Sequence, residues 1–461
     1  MRPIPISRLH VIVALCLAVI FAQTTFFAAQ APPPKKSETG VEVTAPTGPG
    51  IPNRDRESLL NTTIGPNIRT NSREDCGGRG VTQSETAVAA FGDDIVVAYN
   101  DTRVACDPDR GVIGYAYSRD GGQTFVDGGG LPRGFDSGDP WLAVNSSGTF
   151  FLSGIWQRTN ALAMVRGAFS ETGLTWDEPT VLGGLLYDKP ALTIDPSNGT
   201  LYMAYTRLFV GIQIRRSTDD GYTWALSTTI PGTIGNQGAF PAVGSSGEIY
   251  VALARPAAPR GAIAVSKSIN EGRNFSTPIE VGQSCGFIIA GYNRPTVQQQ
   301  LLTMPALAVD TSGGPFNGNV YVTWASGCGG DADVFLSRSE DGGATWSDPL
   351  RVNDDTTNGL QFFPSIAVDA GGNVTLIFYD RRENPGTAVT DVYMARSRDG
   401  GLTFENTKVT SVASDWAAAR FDATPNFGDY ITAISAGSDV LATWADSRDG
   451  DPDCYFARIT P

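Results

Sequence analysis

Ser339-Glu-Asp-Gly-Gly-Ala-Thr-Trp346 is the stretch that decides the fold, because close copies of it return along the whole chain. The other copies, of which the second and fourth named here are degenerate, are Ser118-Arg-Asp-Gly-Gly-Gln-Thr-Phe125, Ser170-Glu-Thr-Gly-Leu-Thr-Trp176, Ser217-Thr-Asp-Asp-Gly-Tyr-Thr-Trp224, Ser268-Ile-Asn-Glu-Gly-Arg-Asn-Phe275 and Ser397-Arg-Asp-Gly-Gly-Leu-Thr-Phe404. A repeat of roughly 40 to 50 residues is typical of blades, solenoids or arrays. Since each unit is rich in strand-forming residues, the repeat predicts an all-β fold, a β-propeller.

The chemistry of the repeated turn explains its composition. Ser and Asp side chains accept hydrogen bonds from backbone N–H groups, Gly supplies a positive φ, and the final Trp or Phe packs between sheets. The pattern Ser-x-Asp-x-Gly-x-Thr-Trp resembles the Asp-box, or BNR, repeat of the sialidase superfamily. That resemblance implies a structural hairpin between the third and fourth strands of a blade, remote from substrate. We therefore expect structural roles for the aspartates of the four intact copies, Asp120, Asp219, Asp341 and Asp399.

A second repeat sets the number of blades. Upstream of each turn, an apolar strand, a Gly turn and another apolar strand follow one another, as in Pro190-Ala-Leu-Thr-Ile-Asp-Pro-Ser-Asn-Gly-Thr-Leu-Tyr202. Such inner hairpins also begin near Ser84, Trp141, Pro241, Pro305, Pro364 and Tyr430. The last unit ends after its third strand, so we expect residues 59–68 to supply the missing one and close the ring. This predicts seven blades in one domain, residues 59–461; six is the alternative, since most enzymes of the resembled family have six.

The N-terminal segment has the layout of an export signal. Residues 1–31 carry Arg2 and Arg8, then an apolar run, then small residues, as in a secretory signal peptide or an uncleaved anchor. Residues 32–58 are rich in Pro and Gly and predict a flexible linker. We therefore expect a secreted or otherwise extracytoplasmic protein, and no segment after residue 31 predicts a membrane span.

Composition excludes several kinds of chemistry. The only histidine, His10, lies in the export segment, so a His base, a Ser-His-Asp triad or a His metal site is excluded. The cysteines after residue 31 lack metal-site spacing, and we expect no metal and no cofactor. In an exported chain they predict disulfides, with Cys76–Cys106 and Cys285–Cys328 as the pairs nearest in sequence, which leaves Cys454. A net charge of −14 argues against a nucleic-acid partner, and we expect a monomer.

Arginine recurs after the second strand of most blades. Four of these residues are candidate clamps for an anionic carbohydrate, because guanidinium groups bind carboxylate or sulfate through paired hydrogen bonds; they are Arg103, Arg207, Arg381 and Arg448. The alternative is structural: Asp101, Asp380 and Asp446 stand beside these arginines, and Arg–Asp pairs would lock neighbouring blades.

The sialidase resemblance also implies catalytic roles. Sialidases hold the substrate carboxylate with arginines, use an Asp as acid/base and use a Tyr nucleophile assisted by a Glu. By position in the blades, this implies Asp139 or Asp188 as proton donor, Glu85 as the activating carboxylate and Tyr430 as nucleophile, since the first and last blades adjoin. The chain lacks the Phe-Arg-Ile-Pro or Tyr-Arg-Ile-Pro motif of family enzymes; its first strand begins Gln83-Ser-Glu85.

Three functions stay open at this point. One is an exported exo-α-sialidase-type glycoside hydrolase, and another is a non-catalytic propeller that binds glycans or proteins at the cell surface. The third is a polysaccharide-active enzyme that acts on uronic acids. An insertion, residues 284–303, interrupts the repeat and predicts either binding contacts or a variable surface loop.

Overall fold

The computed structural model describes residues 62–72, 76, 80–107, 109–156, 160–257, 260–290, 292, 304–421 and 427–461. The predicted signal and linker, residues 1–31 and 32–58, lie outside these ranges, as does most of the insertion. The described chain is almost entirely strand and turn, with one short 3-10 helix at Thr102–Ala105. Its strands form seven antiparallel sheets. The predicted seven-bladed propeller is confirmed, and the six-bladed alternative is wrong.

Blades 1 to 3 are successive antiparallel sheets. Blade 1 contains β3 (Gln83–Phe91), β4 (Asp94–Asp101), β5 (Arg110–Ser118) and β6 (Val126–Pro132). Blade 2 contains β7 (Gly138–Val144), β8 (Phe150–Trp156), β9 (Ala161–Ser170), β10 (Gly173–Trp176) and β11 (Thr180–Gly183). Blade 3 contains β12 (Tyr187–Ile194), β13 (Leu201–Arg207), β14 (Gly211–Ser217) and β15 (Thr228–Thr229).

Blades 4 to 6 continue the same order. Blade 4 contains β16 (Gln237–Val243), β17 (Ile249–Arg255), β18 (Gly261–Ser268) and β19 (Ile279–Ser284). Blade 5 contains β20 (Ala306–Val309), β21 (Val320–Ser326), β22 (Asp333–Ser339) and β23 (Leu350–Arg351). Blade 6 contains β24 (Gln361–Val368), β25 (Val374–Asp380), β26 (Val389–Ser397), β27 (Glu405–Lys408) and β28 (Ser414–Asp415).

Blade 7 joins the two ends of the described chain. It contains β29 (Thr432–Ala436), β30 (Asp439–Asp446) and β31 (Asp453–Thr460), with two N-terminal strands, β1 (Thr63–Ile64) and β2 (Ile68–Arg69), on the edge of β31. The predicted closure by the N-terminal segment is confirmed. Because β29 also contacts β3, the ring is continuous and the outer edge of β31 is covered.

Sandwiching between neighbouring blades explains the composition of the second strands. β21 is buried along its whole length, and β30 is buried at all but its first residue. A strand that is covered on both faces carries a continuous apolar run rather than an alternating one. The hydrophobic core is therefore a set of clusters between adjacent blades, arranged around the axis.

The repeated turns follow the third strands, at the end of each sheet away from the starts of the first strands. In the first copy, Asp120 accepts hydrogen bonds from the Ser118 hydroxyl and from both the backbone and the hydroxyl of Thr124. Asp219, Asp341 and Asp399 accept the equivalent bonds in their own turns. Gly122 has a φ of 89° and a Cβ there would collide with the ring of Phe456, so glycine is required. These aspartates build turns.

Both expected disulfides are present. Cys76 pairs with Cys106 and Cys285 with Cys328, while Cys454 is free and buried. Disulfides persist in oxidising compartments, so the pair indicates an extracytoplasmic protein. Within the described ranges, no helix has the length and apolar character needed to cross a bilayer.

Candidate functional site

A bulge near the start of the first strand turns side chains toward the propeller axis. In five blades the ladder between the first two strands is interrupted there. The residue inside each interruption has a positive φ; these residues are Glu85 (54°), Asp139 (55°), Lys189 (50°), Gly238 (65°) and Phe363 (52°). This backbone conformation costs about 1–3 kcal/mol for a residue other than glycine and is found preferentially at functional sites. Four bulky or charged side chains thus adopt a strained conformation around one axial mouth.

Charged residues from four blades meet at this mouth, and we call them the axial cluster: Glu85, Asp139, Asp188, Lys189 and Asp429. The Lys189 Nζ lies 2.9 Å from Asp429 Oδ2 and 3.5 Å from both Glu85 Oε1 and Asp139 Oδ1. Glu85 is 2% exposed, and Asp139 and Lys189 are 8% exposed. Although burial alone would lower the pKa of Lys189, the surrounding carboxylates raise it well above its ordinary value. The ammonium is therefore charged and offsets the charge of the surrounding carboxylates.

The carboxyl groups of the cluster are linked in a chain. Glu85 shares a side-chain hydrogen bond with Asp139, and Asp139 shares one with Asp188. Burial raises the pKa of Glu85 to about 8, against the opposing effect of Lys189, and burial also raises the pKa of Asp139. Asn100 fixes the geometry, because its amide donates to Glu85 Oε2 at 2.9 Å and accepts from the Asp139 backbone N–H at 3.0 Å. Burial therefore favours the protonated form of Glu85 at neutral pH.

Two tyrosines border the axial cluster. The Tyr430 hydroxyl donates to the Pro140 carbonyl at 2.9 Å, and burial raises its pKa well above the ordinary value. The Tyr292 hydroxyl donates to Asp429 Oδ1 at 2.9 Å, and its ring packs on Phe427 with centroids 4.9 Å apart. Tyr292 belongs to the predicted insertion, so this segment does contribute a contact at the axis.

Below the mouth the seven first strands surround an axial cavity of about 390 Å³. Asp429 and Tyr430 lie on its wall, together with Trp141 and Phe240, whose rings pack edge to face at 5.0 Å. Through Asp429 the cluster borders an interior whose wall carries many apolar side chains. Within the described ranges, no group of three or more His, Cys, Asp or Glu side chains has an arrangement that could hold a metal ion.

All four predicted catalytic residues lie at this mouth. Glu85, Asp139 and Asp188 are linked directly, and Tyr430 is close enough for Glu85 and Asp139 to raise its pKa. The sequence analysis missed Lys189, Asn100 and Tyr292. A signal for Lys189 was present: it precedes Pro190 as Asp139 precedes Pro140 and Phe363 precedes Pro364, so aligning the first strands places these residues in register.

The predicted arginine clamps divide into two groups. Arg103 is 1% exposed and bonded to Asp101 (2.6 Å) and Asp127 (2.9 Å), and Arg448 pairs with Asp446 at 2.6 Å. These two match the structural alternative of Arg–Asp pairs. Arg207 and Arg381 have no carboxylate partner among the described residues.

Arg381 is buried and bonded only to neutral oxygens. Its guanidinium donates to Thr390 Oγ1 and to the carbonyls of Thr387 and Ala290, all within 3.0 Å. Burial lowers its pKa to about 10. The Ala290 contact ties the described start of the insertion to blade 6. An anion-binding role for any of the four arginines stays a prediction.

Comparisons with known proteins show the fold. No protein-family model matches this chain, and neither does any curated protein. A protein of unknown function from Dyadobacter fermentans is 14% identical with a TM-score of 0.50, covering 87% of this chain and 99% of its own. An ulvan lyase of a polysaccharide lyase family is 15% identical with a TM-score of 0.42, covering 69% of this chain and 84% of its own. An α-L-arabinofuranosidase from Fusarium graminearum is 11% identical with a TM-score of 0.41, covering 87% and 98%.

Proposed function

We propose that this protein is an exported, carbohydrate-active β-propeller whose axial cluster performs acid–base chemistry on a glycan. The observation that carries this proposal is the linked chain Glu85, Asp139 and Asp188, in which one carboxyl has a pKa of about 8. A protonated carboxyl can donate to a leaving oxygen while an ionised neighbour accepts a proton from the attacking group.

The more specific form of the proposal is sialidase-type hydrolysis of an anionic glycan. Asp139 or Asp188 would donate a proton to the leaving oxygen. Glu85, after passing its own proton to Asp139, would accept the proton of Tyr430 and so assist it as nucleophile. Attack would require the Tyr430 hydroxyl to leave the Pro140 carbonyl to which it donates. Arg207, which lacks a carboxylate partner among the described residues, would hold the substrate carboxylate. Arg381 would join it only by giving up its bonds to Thr387, Thr390 and Ala290.

A non-catalytic propeller is the second candidate, and a specific observation favours it. The charged groups of the axial cluster are nearly buried and paired with one another, as expected of groups that hold blades together. In that case the mouth would bind a glycan or protein through its outer loops, and the cluster would only support the loops.

The test is turnover of a panel of fluorogenic glycosides, including an α-sialoside, by the purified mature protein. Asp139→Asn and Glu85→Gln keep the size of the side chain but remove the carboxyl group that gives or accepts a proton. Asp219→Asn, in a turn at the far end of blade 3, is the matched control. We expect measurable turnover that both axial substitutions reduce by at least about a hundredfold and that the control retains.

The outcomes separate the candidates. Loss of α-sialoside turnover in a Tyr430→Phe variant would support the sialidase-type form. Turnover of another glycoside that survives Tyr430→Phe but not Asp139→Asn would support acid–base chemistry without a tyrosine nucleophile. Saturable glycan binding with no turnover of any substrate would establish the binding propeller and overturn the catalytic proposal.

A further inference from the structure

An uncovered aromatic face marks a second site, between blades 4 and 5. In blade 7 the ladder places Trp444 opposite Tyr455, and the Arg448 guanidinium carbon lies 4.4 Å from the centre of the Tyr455 ring. In blade 6 Tyr393 occupies the same ladder position, and Arg382 lies 4.2 Å from its ring centre. Each arginine comes two residues after the last residue of the second strand. Blades 6 and 7 thus cover this aromatic ring with a guanidinium.

Blade 5 has the aromatic ring but no arginine over it. Trp324 is opposite Phe335, and the two rings stack at 6.1 Å with an angle of 27°, much as Trp444 and Tyr455 do. The position of the covering arginine is occupied by Cys328, which is held away in its disulfide with Cys285. Phe335 is half-buried, and among the described residues no cation lies over its ring.

A cleft of about 780 Å³ opens at this point. Its wall includes Phe335 and Cys328 from blade 5 and Arg255, Arg260 and Glu280 from blade 4. Arg255 pairs with Glu280 at 3.0 Å, but that carboxylate is 61% exposed and such pairs contribute little. Arg260 is exposed and its Nη1 lies 3.5 Å from Gln283 Oε1, with no carboxylate partner in the described ranges. The cleft therefore carries a net positive charge on a protein of net charge −14.

We propose that this cleft is a binding subsite for an acidic sugar unit, separate from the axial cluster. The apolar face of a pyranose ring would stack on Phe335, in the place that a guanidinium takes in blades 6 and 7. A carboxylate or sulfate on that sugar would bind Arg255 and Arg260. A cationic ligand is disfavoured, since both arginines would repel it. The volume of the cleft lies within the roughly 300–1,000 Å³ that is typical of ligand pockets. This inference goes beyond the proposed function, because it needs no catalysis.

Calorimetric titration of the full mature protein tests the subsite. The probes are trigalacturonate, a sulfated galactan trisaccharide and neutral galactotriose, so that carboxylate and sulfate ligands are distinguished. Arg260→Gln removes an exposed guanidinium and Phe335→Leu keeps an apolar side chain without the ring. Arg119→Gln, at an exposed arginine in the repeated turn of blade 1 and outside the cleft, is the matched control.

We expect saturable binding of at least one acidic trisaccharide, weakened about tenfold by Arg260→Gln and about three- to tenfold by Phe335→Leu. Arg119→Gln should leave it unchanged. Absence of saturable binding by both acidic probes, equal binding of galactotriose, or unchanged affinity in the two cleft variants would overturn the proposal. Turnover by the axial cluster is measured separately from this binding, so failure of the subsite and failure of the proposed catalysis are distinguishable.

Discussion

At the scale of single residues, Glu85 determines the charge of the axial cluster. Its pKa of about 8 means that it is mostly protonated at neutral pH, so the cluster avoids a third carboxylate charge next to Lys189. The cost of a buried charge is large, and protonation is the usual way for a carboxyl in such surroundings to avoid it. The same property means that Glu85 must give up this proton before it can assist Tyr430.

The raised pKa of Glu85 predicts a pH dependence of stability. A carboxyl whose pKa is about 8 when folded and near its ordinary 4.5 when unfolded binds more protons in the folded protein between these values. The free energy of unfolding therefore falls as pH rises from 4.5 towards 8. Glu85→Gln cannot titrate, so we expect its melting temperature to fall less between pH 5 and pH 8 than that of the wild type.

Glu383→Gln is the control for this measurement. Hydrogen bonds from Lys408 and Tyr393 lower the pKa of Glu383, so its contribution changes only in more acidic solution. Its melting curve should follow the wild-type pH slope between pH 5 and pH 8. Equal slopes in the wild type and Glu85→Gln would show that Glu85 ionises normally.

At the scale of structural elements, the repeated turn is an internally hydrogen-bonded unit. Its aspartate satisfies backbone N–H groups that a tight turn would otherwise leave unpaired. Blade 4 shows a natural variant, in which Asn270 accepts from the Ser268 hydroxyl and the Asn274 N–H at 3.0 Å. An amide oxygen can therefore replace part of the function of the carboxylate.

The turn of blade 6 allows a direct test. Burial alone would raise the pKa of Asp399, but hydrogen bonds from Thr403 and Ser397 outweigh it and lower the pKa. We expect Asp399→Ala to reduce the free energy of unfolding by about 1 kcal/mol at pH 7, after allowance for solvent screening. Asp399→Asn should cost less, as Asn270 indicates. Chemical denaturation measures both.

The sign of the pH effect gives an independent check. Because the pKa of Asp399 is lower in the folded protein, its contribution is complete above its ordinary value of 3.8 and is lost as pH falls through the folded-state pKa. The difference between wild type and Asp399→Ala should therefore shrink in strongly acidic solution. A difference that grows on acidification would contradict the assignment.

At the scale of the whole molecule, the ring is closed by its N-terminal segment. Asn67 joins this segment to two blades: its amide donates to Val409 O (3.0 Å) and accepts from Ser411 N (2.7 Å) and from Arg448 Nη2 (3.1 Å). The closure removes the sheet edge that the last blade would otherwise expose. The stability of blades 6 and 7 thus depends on residues from the opposite end of the chain.

Asn67→Ala should weaken this closure. Loss of the side-chain hydrogen bonds predicts about 1–2 kcal/mol less free energy of unfolding and faster amide exchange in β31 than in the other blades. Thr63→Ala, an exposed substitution in β1 that keeps the backbone pairing, is the control and should behave as the wild type. Equal amide exchange rates in all seven blades of Asn67→Ala would contradict a local opening at the N-terminal closure.

The propeller fold could be predicted from the sequence, whereas the contacts within the candidate site depend on the tertiary structure. The seven blades and the structural turns follow from local chemistry, since apolar runs, Gly turns and Ser/Asp caps act on neighbouring residues. The closing strand was predicted from the missing fourth strand of the last unit, and the disulfide pairs from proximity in sequence. The positions predicted within the blades also placed four site residues correctly at one mouth, namely Glu85, Asp139, Asp188 and Tyr430. The partners of charged groups could not be predicted in the same way. Lys189 enters the cluster because a bulge gives it a positive φ, and Asp127 neutralises Arg103 from a strand that starts more than twenty residues later. Such pairings depend on distances across blades, which only the closed ring determines.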